Sequence, residues 1–265
     1  MCIRDRYIYV SHDRGITRIN LRTDEREDFI VLPFYESIAG WAEYKNIRYI
    51  VSNSGMILTM NMNTGQIDIL EIPDSIFLAS KASVSYPYPN FTNPILKNDT
   101  LYIAFYPMGY AGYYMCKNCY NLLLKYCLKT HIWNYVILDS VLGVEKLVPY
   151  KDMILCIGNR IEGYEGGDFE ELGGFCIVSP GKGLTIFPEL YNMPIQGYAI
   201  RGDTLWLVTQ RYPFTGSYLS RNSWEYQKYF TNYLFCIDLK KLKLIEKRKC
   251  ELPEIYYNKF VPLSF

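Results

Sequence analysis

The chain has 265 residues, 49% of them hydrophobic, and its 28 Lys and Arg nearly balance its 27 Asp and Glu. This composition supports one large domain or two small ones, and it provides no net basic field for nucleic acid or an anionic membrane. No run of 18 or more apolar residues occurs, so the sequence predicts no membrane-spanning helix. Nucleic-acid binding and a membrane span are therefore excluded from the expected functions.

The start of the chain and its cysteines bear on origin and compartment. The opening "MCIRDR" resembles translated sequencing adapter, so we expect residues 1–6 to be non-native and the true start to be missing. The eight cysteines do not resemble the disulfide framework of a small secreted domain. This spread favours a reducing, cytoplasmic compartment.

Apolar, strand-like cores recur along the chain. They begin near Tyr7, Arg48, Leu101, Met153 and Leu205, at steps of 41, 53, 52 and 52 residues. Each is followed by a second strand, a polar turn and a third strand, as in "RYIVSN", "GMILTMNM", "NTG" and "QIDILEI". A short segment precedes most cores, at 38–44, 143–150 and 195–201. The pattern predicts five units of four strands, A to D in chain order.

Four-stranded units that repeat every 40 to 50 residues are typical of a β-propeller. One four-stranded sheet cannot bury both of its faces alone, whereas neighbours around an axis cover each other. We therefore predict an all-β propeller of four-stranded antiparallel blades over residues 7–265, in an incomplete ring. The predicted units are 7–36, 37–75, 82–140, 143–190 and 194–253, followed by a terminal strand at 255–264.

The two ends of the pattern leave the blade number open. The first unit shows no A strand, and the terminal "YYNKFVPLSF" reads as an A strand without a following B strand. The terminal strand would complete the first blade and close a five-bladed ring, or the chain is a fragment of a larger ring. The adapter-like start favours the fragment.

The repeat length and strand order resemble those of kelch-like propeller repeats over most of the chain. The Gly-Gly pair that marks kelch repeats occurs once in a suitable place, at Gly173-Gly174, and the Trp-Asp ending of WD repeats does not occur. The resemblance implies the propeller architecture. It does not choose among binding, scaffolding and catalysis, because propellers serve all three.

The links between strands B and C differ among the units. They are short in units 1 and 2, and long in units 3, 4 and 5, at 107–120, 159–172 and 211–231. Because this position lies on one face of a propeller, we expect the three long loops to form one surface, as binding loops on a rigid scaffold do. The aromatic residues predicted to bind a ligand there are Tyr110, Tyr113, Tyr114, Tyr164, Tyr212, Phe214, Trp224 and Tyr226.

Aromatic rings among polar groups suit sugar rings and peptide segments. The alternative is that these rings pack against one another and anchor the long loops. The middle loop also carries acidic residues at 162–171, which would supply paired carboxylates to a carbohydrate-active enzyme. The simpler interpretation of that loop is a solvated acidic surface.

Other candidate chemistry is sparse. Cys116 and Cys119 form C-x-x-C but lack a second ligand pair, so we interpret them as incidental thiols or a loop disulfide, with zinc as the alternative.

The histidines do not indicate catalysis. Ser11, His12 and Asp13 are consecutive and do not form a triad, and His131 falls in a C-to-D turn. The predicted inner strands carry Glu43, Lys146 and Arg201, but no acid pair. No metal and no cofactor is predicted.

These observations favour a non-catalytic binding or interaction protein over an enzyme. The predicted partner is a glycan or a protein on the face of the three long loops. A carbohydrate-active enzyme that uses the 162–171 carboxylates, and a structural module of a larger protein, are the alternatives.

Overall fold

The computed structural model describes residues 2–4, 6–33, 35–52, 55–80, 88–108, 120–138, 143–163, 169–179, 182–191, 193–211 and 231–250. Nearly all of these residues lie in strands or in the turns between them. The exceptions include a short helix, α1 (Asp74–Ala79), and a 3-10 turn at Pro188–Leu190. Among the described residues, no helix is long and apolar enough to cross a membrane.

The strands form five antiparallel sheets, which we call blades 1 to 5 in chain order. Blade 1 contains β1 (Cys2–Arg4), β2 (Tyr7–His12), β3 (Gly15–Asn20) and β4 (Arg26–Val31). Blade 2 contains β5 (Ile38–Tyr44), β6 (Ile47–Ser52), β7 (Ile57–Asn61) and β8 (Ile67–Ile69). Blade 3 contains β9 (Tyr88–Phe91), β10 (Ile95–Lys97), β11 (Thr100–Met108), β12 (Leu122–Cys127) and β13 (Ile132–Ile137).

Blade 4 contains β14 (Val144–Tyr150), β15 (Met153–Gly163), β16 (Phe169–Ser179) and β17 (Gly183–Ile186). Blade 5 contains β18 (Ile195–Arg201), β19 (Thr204–Arg211), β20 (Thr231–Asp238) and β21 (Lys243–Cys250). In every blade the strand order follows the chain order. The repeated four-stranded meander is the blade of a β-propeller, as the sequence predicted.

The first blade differs from the predicted unit. The repeat pattern assigned it no A strand, but β1 pairs antiparallel with β2 and places Ile3 opposite Ile8. The pattern missed β1 because three residues are too few for a periodicity. The position that the predicted terminal strand would take in a five-bladed ring is thus filled by β1, and residues 255–264 lie outside the described residues.

The inner strand of blade 3 was not identified from the sequence either, and it is interrupted. Both β9 and β10 pair with the same side of β11, with Phe91 opposite Phe105 and Ile95 opposite Tyr102. The two segments are therefore the two halves of one A strand. Blade 3 then has the same four-stranded plan as its neighbours.

Hydrophobic clusters join each blade to the next, one at each of the four junctions. In β6, Ile50 packs toward blade 1 and the neighbouring Val51 packs toward blade 3. Successive residues of a strand point to opposite faces, so a strand buried on both faces is continuously apolar. The cores of blades 2, 3 and 4 that recur in the sequence are strands of this kind, and neighbouring blades depend on each other for burial.

The chain reverses on two opposite faces of the blades. The A-to-B and C-to-D connections lie on one side, which we call the turn face. The B-to-C connections and the links between blades lie on the other, the loop face. The C-to-D turns of blades 1, 2 and 5 share one hydrogen bond, in which the side chain of Asn20, Asn61 or Asp238 accepts from the backbone N–H two residues later, at 2.9 Å.

One of the predicted long loops is largely strand. Residues 159–172 were expected as a loop, but β15 continues to Gly163 and β16 begins at Phe169. The pairing runs without a break from Ile154 opposite Val178 to Gly163 opposite Phe169. Five residues of strand extend roughly 16 Å, so this hairpin rises well above the loop face. Glycines and charges concealed it, because both are depleted in ordinary strands.

Candidate binding site on the loop face

The inner strands share a bulge at their loop-face ends. In blade 2 the register shifts by one between Ile38 and Gly40, so that two residues of β5 face one residue of β6. The same shift occurs at the same place in blades 4 and 5, between Val144 and Lys146 and between Ile195 and Gly197. A bulge redirects a side chain and is a feature that functional sites use.

Blade 3 has the bulge too. From Phe91 to Ile95 the inner strand advances four residues, while the partner strand advances three, from Tyr102 to Phe105. The Thr92 N–H donates to the Ala104 carbonyl at 3.0 Å, and the Thr92 hydroxyl accepts from the Ala104 N–H at 3.0 Å. Four consecutive blades therefore repeat one irregularity.

In blades 2, 3 and 4 the second residue of the bulge contacts the next blade. Asn93 holds the Leu147 backbone, with its Oδ1 accepting from the Leu147 N–H at 3.4 Å and its Nδ2 donating to the carbonyl at 3.5 Å. The Lys146 ammonium lies 4.9 Å from the centre of the Tyr198 ring. A Cβ at Gly40 would approach Pro94 Cδ to 2.9 Å. This position is therefore structural.

The first residue of each bulge is different in every blade. Reading along the chain, it is Ala39, Thr92, Glu145 and Gln196. Thr92 is buried and engaged with Ala104. Glu145 is the one ionisable side chain of the four, and it forms no hydrogen bond or ion pair within the described part of the chain.

Burial raises the pKa of Glu145 to about 7. By its accessible surface Glu145 is nevertheless an exposed residue of β14. Neighbouring protein atoms therefore raise its pKa although water reaches the side chain. At neutral pH such a group exists in both forms, and it can donate as well as accept a hydrogen bond.

Glu145 lies at the inner edge of its blade. The inner strands of successive blades touch, because β10 contacts both β5 and β14. Glu145 is the second residue of β14, and β14 begins on the loop face. The carboxyl group is therefore placed where the inner strands meet that face.

Strands that extend toward the loop face flank this position. The β15–β16 hairpin belongs to the same blade as Glu145 and continues five residues past the Val144–Gly158 pair. In blade 3, β11 runs to Met108, where it pairs with Tyr88, and in blade 5 the pairing reaches Arg211 and Thr231. The three blades with long insertions thus place stems next to one another on the loop face.

The predicted ligand-binding residues lie outside the described residues. This holds for all eight, Tyr110, Tyr113, Tyr114, Tyr164, Tyr212, Phe214, Trp224 and Tyr226, and for Cys116 and Cys119. Their roles therefore stay predictions. Within the described residues, no group of three His, Cys, Asp or Glu side chains is arranged to hold a metal ion.

The histidines have local partners. His12 ends β2, where its Nδ1 accepts from the Arg14 N–H and its Nε2 lies 3.3 Å from the Thr17 hydroxyl. His131 lies in the C-to-D turn of blade 3, on the turn face as predicted, with its Nδ1 2.8 Å from the Tyr126 hydroxyl. Both histidines thus have hydrogen-bond partners within their own blade.

The inner-strand residues noted in the sequence are also engaged. Glu43 accepts from Arg48 Nε at 2.9 Å, and the Arg48 guanidinium lies 4.0 Å from the Phe29 ring centre. Lys146 faces Tyr198. The sequence interpretation passed over Glu145, which an alignment of the inner strands "IAGW", "VEKL" and "IQGY" places at the variable bulge position.

The turn face carries a repeated contact between blades. The Tyr150 hydroxyl donates to Asp203 Oδ1 at 2.6 Å, and Lys151 forms an ion pair with the same carboxylate. At the equivalent positions, Tyr44 donates to Asp99, which also pairs with Lys129. In both cases the cation and the hydroxyl lower the pKa of the aspartate. We call these two contacts the Tyr–Asp latches.

Comparisons with protein-family models and with curated proteins find no match to this sequence. Solved structures are similar at low identity. The computationally designed Ika8 protein is 12% identical with a TM-score of 0.45, and the match covers 100% of this chain and 76% of that protein. The tricorn protease is 12% identical with a TM-score of 0.48, over 91% of this chain and 25% of the protease.

The extracellular domain of the one-component system BT4673 from B. thetaiotaomicron is 12% identical with a TM-score of 0.47, over 90% of this chain and 26% of that chain. The chain thus spans about a quarter of the length of the tricorn protease and of the BT4673 chain. Similarity at this level carries no inference about activity or partner, and the kelch resemblance stays a prediction.

Proposed function

We propose that this chain is a binding module that takes a glycan or protein partner on its loop face, with Glu145 at the base of the site. The observation that supports this most strongly is the position of Glu145. It occupies the variable place of a bulge that four blades repeat, beside the stems of three adjacent insertions. The backbone at this position is the same in four blades, whereas the side chain differs in each. A position of this kind is where we expect a ligand-specific group.

We favour a glycan as the ligand. A sugar hydroxyl both donates and accepts hydrogen bonds, so it matches a carboxyl group that is present in both forms near neutral pH. The aromatic residues of the three insertions would supply flat apolar faces for the sugar rings. We assign this role to Tyr110, Tyr113, Tyr114, Tyr164, Tyr212, Phe214, Trp224 and Tyr226.

Binding to a glycan panel tests the proposal. We expect the purified chain to bind a subset of glycans, and both Glu145→Gln and the double variant Tyr212→Ala/Trp224→Ala to weaken binding about ten-fold or more, since each removes a contact worth about 1.4 kcal/mol. Asp203→Asn is the control, because its side chain lies in a latch on the opposite face.

The outcomes separate the alternatives. Binding that survives both loop-face variants and is lost in the control would contradict the proposed site. A chain that binds no glycan, but whose protein partner is released by the same two loop-face variants, would keep the site and assign it to a protein.

One observation supports an enzyme as the second candidate. A carboxyl group with a pKa of about 7 is suited to general acid–base catalysis at neutral pH. A glycoside hydrolase needs a second carboxylate, and we assign that role to the acidic residues of the 162–171 segment. Glycoside turnover that is abolished by Glu145→Gln and by Glu165→Gln/Asp168→Asn would replace the binding module with this enzyme.

A further inference from the structure

The outer edges of the blades are not alike. The outer strand of a blade leaves one row of backbone N–H and C=O groups unpaired, and proteins usually protect such edges with charged residues or short strands. β4 contains Arg26, Glu27 and Asp28, and β21 contains five Lys, Arg or Glu residues. β8 and β17 have three and four residues.

β13 lacks both protections. It has six residues, "IWNYVI", and none is charged. Ile132, Tyr135 and Ile137 are 56%, 40% and 44% exposed, and the remaining exposed side chain, Asn134, is polar but uncharged. Among the described residues, no strand pairs with its outer side. A charge-free edge of this length is suited to addition of another strand.

The hydrogen-bond pattern determines which backbone groups are available. The Leu138 N–H donates to the Asn121 carbonyl at 2.7 Å, so alternate residues of β13 face β12 and the others face outward. The outward residues are Trp133, Tyr135 and Ile137. A strand that adds to this edge must bond to these three positions.

We propose that the occupant of this edge is β13 of a second copy of the chain. In an antiparallel pair, the register that uses all three outward positions places Tyr135 opposite Tyr135 of the second copy, and Trp133 opposite its Ile137. The contact is thus self-complementary about a two-fold axis. No like charges face each other, whereas pairing β21 with itself would bring Lys and Arg residues together.

This inference is independent of the proposed function, because β13 forms the outer rim of blade 3 and Glu145 lies at the inner edge of blade 4. The dimer would join two blades into one continuous sheet of eight strands. Because the two paired β13 strands would run in opposite directions, the loop faces of the two copies would lie on opposite sides of the particle.

Sedimentation velocity over a range of concentrations tests the dimer. We expect the wild-type chain to shift from monomer to dimer as concentration rises, and Tyr135→Lys to raise the dissociation constant about ten-fold or more, because it places two ammonium groups at the axis. Ile245→Lys is the matched control, since Ile245 is 60% exposed on the charged edge strand β21. Ile137→Lys replaces Tyr135→Lys if the latter does not fold by circular dichroism.

Amide hydrogen exchange is a second test of the dimer, because a contact through side chains alone would not protect the backbone amides of β13. The amides of Trp133, Tyr135 and Ile137 should become protected as the dimer forms, while those of Asn134 and Val136 are already bonded to β12. A chain that stays monomeric, a dimer that both lysine variants leave intact, or outward amides that stay unprotected in the dimer would each overturn the proposal.

Discussion

On the turn face, a tyrosine at the end of an inner strand bonds to an aspartate of the next blade in two places, Tyr44 to Asp99 and Tyr150 to Asp203. On the loop face, the first residues of the four bulges have four different side chains, and the connections grow from short turns to long insertions. The backbone irregularity is repeated while the side chains are not. Contacts that recur with the blades hold the propeller together, and positions that vary within a repeated backbone are available for a ligand.

The largest expected effect is on the cores between blades, on which both faces depend. Phe175 is fully buried at the junction of blades 4 and 5. Phe175→Ala should lower the free energy of unfolding by about 3–5 kcal/mol, through lost burial and the cavity left behind. Urea denaturation measures this. Ile245→Ala, at an exposed position, should change it by less than about 0.5 kcal/mol, and an equal effect of both variants would contradict the assigned core.

The next largest effect on stability is expected to differ between two glycines, Gly40 and Gly197, which occupy the same bulge position in blades 2 and 5. A Cβ at Gly40 would lie 2.9 Å from Pro94 Cδ and 3.2 Å from Asn93, whereas a Cβ at Gly197 would have no atom within 4 Å. Gly40→Ala should therefore destabilise the fold by about 1–3 kcal/mol. Gly197→Ala should be neutral or slightly stabilising, because it restricts the unfolded chain. Equal thermal unfolding midpoints for the two variants would show that the packing of Gly40 on the next blade does not matter.

A smaller effect concerns the Tyr–Asp latches. The folded pKa of Asp99 and of Asp203 lies below the ordinary value of 3.8, so each carboxylate stabilises the fold above that pH, and the stabilisation is lost as pH falls through the folded pKa. The double variant Asp99→Asn/Asp203→Asn should have a lower urea midpoint at neutral pH. It should also lose less of its stability on acidification below about pH 4 than the wild type does. Parallel acid profiles for the two proteins would exclude a contribution from the latches.

The smallest effect on stability is expected at Glu145. Its contribution to stability changes with pH in the opposite direction to that of Asp99 and Asp203. Its folded pKa of about 7 lies above the ordinary value of 4.5, so the folded state holds the proton more tightly than the unfolded state. Stability from this group is complete below pH 4.5 and is lost as pH rises through 7. The urea midpoint of Glu145→Gln should therefore fall less than that of the wild type as pH rises from 4.5 through 7. Water reaches the carboxyl group, so the change should be modest, and an unchanged profile would contradict the raised pKa.

Repetition explains how much of the fold could be predicted from the sequence. The cores at Arg48, Leu101 and Met153 are buried on both faces, and such strands are continuously apolar and easy to identify. The cores at Tyr7 and Leu205 belong to the first and last blades, and they repeat the same apolar pattern although one face of each strand is less buried. The inner strand of blade 3 was missed because Thr92, Asn93 and Pro94 interrupt its pattern. The β15–β16 hairpin was missed because it rises above the blades, where burial does not impose an alternating pattern.

The candidate site was harder to predict for a physical reason. The side chain at a bulge position points where the backbone irregularity directs it, and no periodicity of the sequence reports a bulge. Glu145 therefore looked like one more polar residue of "VEKL". The aromatic residues of the insertions could be identified by composition alone, and their role in binding stays a prediction.

Titration of the glutamate side chains by carbon NMR tests the central claim most directly, because it reports on the surroundings of the Glu145 carboxyl group without a known ligand. We expect one carboxyl resonance that titrates with a pKa of about 7 and is missing from the spectrum of Glu145→Gln. We also expect this pKa to shift when a ligand binds on the loop face. If every glutamate resonance titrates near its ordinary value of 4.5, Glu145 is a solvated surface residue and the site proposed here is wrong.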